Sequence, residues 1–245
     1  MHTIAIIQAR MGSSRLAGKA MKNLCGKTIL AHCIERVRQA QYINNIIVAT
    51  TLNEEDSIIE QEALRCGVKV FRGSENDVLS RYYYAAQKYK ADTVIRITSD
   101  CPLIDPKILD EVILFYLNNK YDIVTNAPNE EKERTYPRGL DISIFSFEQL
   151  KNAFINATEK YQREHVTPYL YENLENKCYY KSKIDYSKYR LTLDTKEDWN
   201  LISEIYMNLY KGKHDFYLDD ILNLFKSNPK LEKINFNIGQ KDFKK

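Results

Sequence analysis

No apolar run in this chain approaches the ~20 residues that a helix needs to cross a bilayer. Paired cysteines are missing too. The five present (Cys25, Cys33, Cys66, Cys101 and Cys178) form no CxxC motif and share no metal-type spacing with the four histidines. A scattered, odd-numbered set points to reduced thiols in a cytoplasmic protein. Nor is there a surplus of one charge: 36 Lys and Arg against 33 Asp and Glu leave a net +3. That balance argues against bulk nucleic-acid binding, which shows a concentrated basic face. No internal repeat, low-complexity stretch or linker divides the chain. Met1-His2-Thr3 leads straight into a strand, without the pattern of a signal peptide.

What is present is strand–helix alternation. Apolar runs at 4–7, 46–50, 68–71, 93–97 and 122–125 alternate with helix-period segments at 28–41, 54–66, 77–90 and 106–119. Ile29, Cys33, Val37 and Ala40 share one helical face, and Ile108, Val112 and Phe115 another. Asn53 and Asp105 stand where N-caps belong, Pro106 suits a first turn, and Gly67 suits a helix end. The pattern predicts an α/β fold with a mainly parallel, helix-flanked sheet.

The second half is less regular. The polar stretch 127–139 reads as an exposed excursion. A strand at 140–145, helices at 147–156 and 160–173, strands at 178–184 and 189–193, and a helix at 195–210 follow. We expect a single domain over 1–245, with an inserted arm at about 127–185 and a C-terminal helix and tail over 211–245. The Lys-rich end, 227–245, reads as a solvated tail. The Tyr82-Tyr83-Tyr84 cluster suits helix packing with polar tips at the rim, or stacking on bases.

Three segments carry candidate chemistry. The first strand runs into a loop with Arg10, Gly12, Ser13, Ser14, Arg15, Gly18 and Lys19. Glycines allow close backbone approach and the cations suit phosphate, at the sheet edge where open α/β folds bind ligands. A solvated basic loop is the bland alternative. In Arg96–Asp105 a strand ends at Asp100, either a turn residue or a ligand for Mg²⁺, which takes one or two carboxylates plus phosphate oxygens. Asp105 reads as a helix cap. In Arg190–Asp198, Asp194 stands at a strand end, either capping the next helix with Glu197 at N3 or serving as a second metal carboxylate.

Taken in order, QARMGSSRLAGK, FRGSENDVLSRYY, RITSDCPLIDP, TYPRGLDISIFS, REHVTPYLY and RLTLDTKED resemble the cytidylyltransferase family over residues 3–210. That family includes CMP-Kdo and CMP-acylneuraminate synthetases, and the spore-coat polysaccharide branch is nearest. The resemblance implies a three-layer, Rossmann-like nucleotide-diphospho-sugar transferase fold with a dimerisation and acceptor arm. It implies CTP as substrate, Mg²⁺ as cofactor, a sugar-type acceptor and a homodimer.

Carried over by position, Gln8, Ala9, Arg10, Gly12, Ser13, Arg15 and Lys19 would hold CTP, with Arg72, Gly73, Ser74, Asp77 and Arg81 nearer the base. Arg15, Lys19 and Asp100 would be catalytic, and Asp100 and Asp194 would hold the metal. Tyr136, Arg138, Asp141, Arg163, Glu164 and His165 would face the acceptor. His165 also suits a structural role, and Arg134–Arg138 a solvated charge run. The chain departs from the family pattern at Ala17 (usually proline) and Ser99 (usually glycine), and on the sugar side at Arg138 and Ser143. A nucleotide-sugar-dependent glycosyltransferase shares such a layered fold, but Thr98-Ser99-Asp100 is not its DxD motif. A catalytically silent nucleotide-binding protein is the remaining alternative.

Overall fold

A computed structural model describes residues 1–13 and 15–239; Ser14 and 240–245, the end of the Lys-rich tail, lie outside the described residues. In the first strand, β1 (Thr3–Gln8), Ile4 and Ile6 pack into one apolar layer and Ala5 and Ile7 into the other. A strand buried on both faces belongs in the interior of a helix-covered sheet. After a small hairpin, β2 (Asn23–Leu24) and β3 (Lys27–Thr28), come α1 (Ile29–Val37) and β4 (Asn45–Thr51), which pairs parallel to β1. Then follow α2 (Ser57–Arg65), β5 (Lys69–Gly73), α3 (Val78–Lys88), β6 (Thr93–Thr98), α4 (Pro106–Asn118) and β7 (Ile123–Thr125).

β8 (Ser143–Ser146) leads into α5 (Phe147–Asn156), α6 (Lys160–His165) and α7 (Pro168–Asn173). β9 (Lys177–Tyr179), α8 (Lys196–Leu209) and α9 (Leu218–Ser227) complete the order. The sheet runs β5-β4-β1-β6-β8-β7-β9, and only β8 is antiparallel to its neighbours. One helical layer, with α1, α2, α4, α8 and α9, covers one face; α3, α5 and α7 cover the other. The expected three-layer α/β fold is the fold observed. The chain leaves β1 in one direction towards β4 and the other towards β6, so the crevice at their C-terminal ends is a topological switch point.

Several local expectations are corrected. The helix expected over 160–173 is two helices: Val166 adopts φ 71°, and Pro168, lacking an N–H, opens α7. The strand expected over 189–193 forms no ladder. It makes one bridge, Arg138 to Arg190, because it crosses the strand ends and meets a loop, with Leu193 N–H on the Asp100 carbonyl at 2.8 Å. The strand expected over 178–184 shortens to β9, and that over 140–145 to β8.

The caps divide likewise. Asp105 caps α4 through Lys107 N–H at 2.9 Å, and its second oxygen takes Leu218 N–H at 2.7 Å. Asn53 precedes a short 3₁₀ turn, and its amide reaches Glu75 at 2.8 Å in place of capping. Gly67 closes α2 at φ 70°, as expected. Tyr82 is fully buried with its hydroxyl on the Ile6 and Ile97 carbonyls, while Tyr83 stacks on Phe154.

Candidate active site

The basic loop after β1 is tied at both ends. Met11 N–H donates to Asp56 at 2.6 Å, and Gly18 N–H to the Met11 carbonyl at 3.2 Å. Gly18 sits at φ 60°, the left-handed region that favours glycine, and hands the chain to a 3₁₀ turn carrying Lys19. A Cβ on Gly12 would find only ordinary contacts at 3.8 Å, from Glu55 and Glu75, so it is Gly18 whose conformation the loop requires.

Lys19 reaches across the crevice. Its Nζ donates to Asp100 Oδ2 at 2.8 Å and to Asp194 Oδ1 at 2.7 Å, so two carboxylates 94 positions apart converge on one nitrogen. Arg15 approaches the other Asp194 oxygen at 3.1 Å, and Arg190 donates to it at 2.9 Å. Burial works against the charges here, but pairing wins. Burial would push the Asp100 carboxyl up, yet the Lys19 ammonium holds it down at about 2. Burial would likewise lower Lys19, yet Asp100 and Asp194 raise it above the usual lysine range.

Asp194 does not cap α8. Thr195 is the N-cap and Asp198, rather than Glu197, completes the capping box, which leaves the Asp194 carboxylate for the cations. Among the described residues no cluster of three or more His, Cys, Asp or Glu side chains could hold a metal. The donor set is therefore two carboxylates, which fits a Mg²⁺ ion that takes its other ligands from phosphate and water.

The other expected nucleotide residues divide. Gln8 ends β1 with its Oε1 buried and unpartnered, and Ala9 is buried beside it, pairing with Ala49. Arg81, 2 % exposed, has Nε and Nη1 buried without a partner, and Arg96 has a buried, unpartnered Nε. Buried polar atoms left open at the sheet edge suit a polar ligand. Gly73 lets Arg81 pass, since a Cβ there would lie 2.9 Å from Arg81 Cγ. Arg10 faces Glu75 at 3.7 Å, and Ser13 is half-buried in the loop.

Arg72, by contrast, is spent on structure. It donates to the Thr51 and Asn53 carbonyls at 2.8 Å each and to Glu60 at 2.9 Å. Ser74 accepts from Asp77 N–H at 3.1 Å, and Asp77 caps α3 through Ser80 N–H at 2.9 Å.

The acceptor set separates into two groups. Arg138 is spliced to the extended segment before Asp194: its N–H donates to the Tyr189 carbonyl, and its own carbonyl accepts from Leu191 N–H at 2.7 Å. Gly139 makes that crossing possible, at φ 97°, since a Cβ would lie 2.4 Å from the Leu191 backbone. Asp141 pairs with Arg134 at 2.6 Å, Arg138 pairs with Glu131, and Tyr136 is buried. Arg138, Lys188, Tyr189, Arg190 and Phe225 border a cavity of about 250 Å³.

Arg163, Glu164 and His165 lie on α6, away from this splice. Arg163 grips Asp77 at 2.7 and 2.9 Å and the Phe154 and Ala157 carbonyls, so it fastens α6 to the start of α3. Ser143, expected on the sugar side, is buried in β8 with its hydroxyl on Thr125 and Tyr171 at 3.0 Å each. The sequence reading left Arg190, Asp198 and Asn235 without a role. No local pattern signals any of the three, because their contacts depend on how the segment before α8 turns and on where the chain after α9 returns.

The cytidylyltransferase family profile matches residues 4–227. The chain is 39 % identical to an uncharacterized protein of Methanocaldococcus jannaschii, over 100 % of this chain and 98 % of the other. It is 33 % identical to the spore coat polysaccharide biosynthesis protein SpsF of Bacillus subtilis, over 91 % of this chain and 94 % of that protein. A solved cytidylyltransferase from Leptospira borgpetersenii superposes with a TM-score of 0.89 at 37 % identity, over 99 % of this chain and all of that one. With its match running from β1 through α9, the chain belongs to the cytidylyltransferase family of CTP-dependent nucleotidyltransferases.

Proposed function

We propose that the chain transfers CMP from CTP to an acidic sugar or sugar phosphate, releasing pyrophosphate, in surface polysaccharide or glycoconjugate biosynthesis. The observation that carries this reading is the convergence of Asp100 and Asp194 on Lys19, with Arg15 alongside, at the sheet's switch point.

Asp100 and Asp194 are the residues that would hold Mg²⁺, which when bound neutralises charge developing on the phosphate oxygens. An acceptor oxygen attacks the α-phosphorus of CTP in line, and the bond to the bridging oxygen of pyrophosphate breaks. Such a step needs positioning and charge neutralisation more than covalent chemistry. Lys19 and Arg15 supply cations for the β- and γ-phosphates. The open donors of Arg81 and the open acceptor Gln8 Oε1 suit a polar base edge. Arg138, spliced beside Arg190, brings a cation of the acceptor arm to the same side as Asp194 and suits an anionic sugar. We also infer a homodimer. Half-exposed Tyr84 on α3 and exposed Ile155 on α5 form an apolar margin for it, which light scattering would test.

The deciding assay incubates the protein with CTP, Mg²⁺ and a panel of ulosonic acids and sugar phosphates, and measures pyrophosphate. Acceptor-dependent release is expected with at least one anionic sugar. Absence of release with every acceptor, together with hydrolysis of a nucleotide-sugar, would overturn the reading in favour of a glycosyltransferase.

A further inference from the structure

Asp194 is held from behind as well as from the crevice. Arg190 donates through Nη2 to Asp194 Oδ2 and through Nε to Asp198 Oδ1, both at 2.9 Å. Asp198 is fully buried, and its Oδ2 takes the N–H groups of Asp194 at 2.9 Å and Thr195 at 3.0 Å. One carboxylate thus fixes both the backbone of Asp194 and the guanidinium that orients its side chain.

The next link comes from the end of the described chain. Asn235 is buried, and its Nδ2 donates to Asp198 Oδ1 at 2.8 Å and to the Arg190 carbonyl at 2.9 Å. Both amide hydrogens are therefore spent on the residues that hold Asp194. Asn235 also lies beyond residue 227, where the family match ends.

We propose that Asn235 is a positioning residue for the nucleotide site, setting the orientation of Asp194 through Asp198 and Arg190. The C-terminal segment after α9 is then part of the site. The proposal rests on reading Asp194 as a metal ligand. Its physical basis is that a buried carboxylate losing a donor lets its remaining partners shift to compensate. Arg190, which Asn235 also holds by its carbonyl, is the partner that touches Asp194. Outer partners of metal ligands commonly influence metal affinity in this way.

The test uses the full chain with Mn²⁺ and CTP as probes, following free Mn²⁺ by electron paramagnetic resonance. CTP binding in EDTA is measured by calorimetry, and thermal melting checks folding. Asn235→Ala should weaken Mn²⁺ retention in the presence of CTP about 5- to 20-fold, while CTP binding in EDTA changes less than about twofold. Asn235→Asp, nearly the same shape but with acceptors facing a carboxylate and a carbonyl, should be worse than Asn235→Ala. Asn235→Ser, keeping one donor, should recover part of the loss; it decides the matter if the Asp variant does not fold.

Wild-type Mn²⁺ retention in Asn235→Ala, an equal loss of CTP binding in EDTA, or Ser no better than Ala would each overturn the proposal. Asp194→Ala separates the two levels. If it loses Mn²⁺ and Asn235→Ala does not, the positioning role falls alone; if it retains Mn²⁺ normally, the reading of Asp194 falls.

Discussion

Lys19 and Asp194, 175 positions apart in the chain, meet at 2.7 Å in the crevice at the C-terminal ends of β1 and β6. The lysine arrives on the loop after β1, and the aspartate on the segment between the Arg138 splice and α8. Neither element needs the other to form, so their meeting is a property of the sheet's topology.

Lys19→Ala should weaken CTP binding more than CMP binding, because an ammonium at this point addresses the outer phosphates. A charge-assisted contact of this kind is worth roughly 2 kcal/mol, a loss of about 30-fold. Calorimetric titration with the two nucleotides checks it. Equal losses for CTP and CMP would remove Lys19 from the β- and γ-phosphates.

Asp100→Asn should abolish metal-dependent turnover while leaving the secondary structure intact. The amide keeps the shape beside Lys19 but not the charge that a divalent cation needs. Pyrophosphate release across a Mg²⁺ titration, with circular dichroism alongside, reads both halves of this expectation. Turnover within a few-fold of wild type would show that Asp100 is not a metal ligand.

Arg163→Ala and Gly139→Ala probe two structural joints in the second half of the chain. Arg163 holds Asp77 and two carbonyls, so its loss should cost about 1–3 kcal/mol of stability and little of the CTP affinity. Gly139→Ala forces a Cβ into the Leu191 backbone at a left-handed φ, and should cost 3 kcal/mol or more, by the order of magnitude for overpacking plus strain. Urea denaturation of both variants, with CTP titration of the folded protein, distinguishes them. A CTP affinity in Arg163→Ala reduced tenfold or more would give that residue a role at the nucleotide.

Acid should destabilise the protein below neutrality through His214. Burial, then His32, Arg36 and Lys27, push its imidazole down from the usual 6.5 to about 3. Its Nε2 lies 2.8 Å from His32 Nδ1 and its Nδ1 3.2 Å from Glu35, so burial and the neighbouring cations outweigh one carboxylate. A depressed folded value means that stability is fully present above about pH 6.5. It is lost as pH falls towards 3, because the unfolded chain takes a proton that the folded one refuses. The slope approaches about 1.4 kcal/mol per pH unit inside that window. Melting curves between pH 7 and 4 should show it, and His214→Gln should flatten the dependence. An unchanged slope in that variant would assign the acid sensitivity elsewhere.

The sequence by itself determined the strand–helix alternation, the loop of cations after β1 and the aspartate that follows β6. These are local properties: apolar period, cap chemistry and charge over a few residues. It also carried the ordered motifs of the cytidylyltransferase family. Tertiary structure decided which of those residues meet. It brought Lys19, Asp100 and Asp194 to one point, and engaged Arg72 and Arg163, which motif position groups with the ligand residues, in holding elements together. It also added Arg190, Asp198 and Asn235 behind Asp194. A side chain's partner depends on strand order and on crossings such as the one Gly139 permits, and neither leaves a periodic trace in the chain.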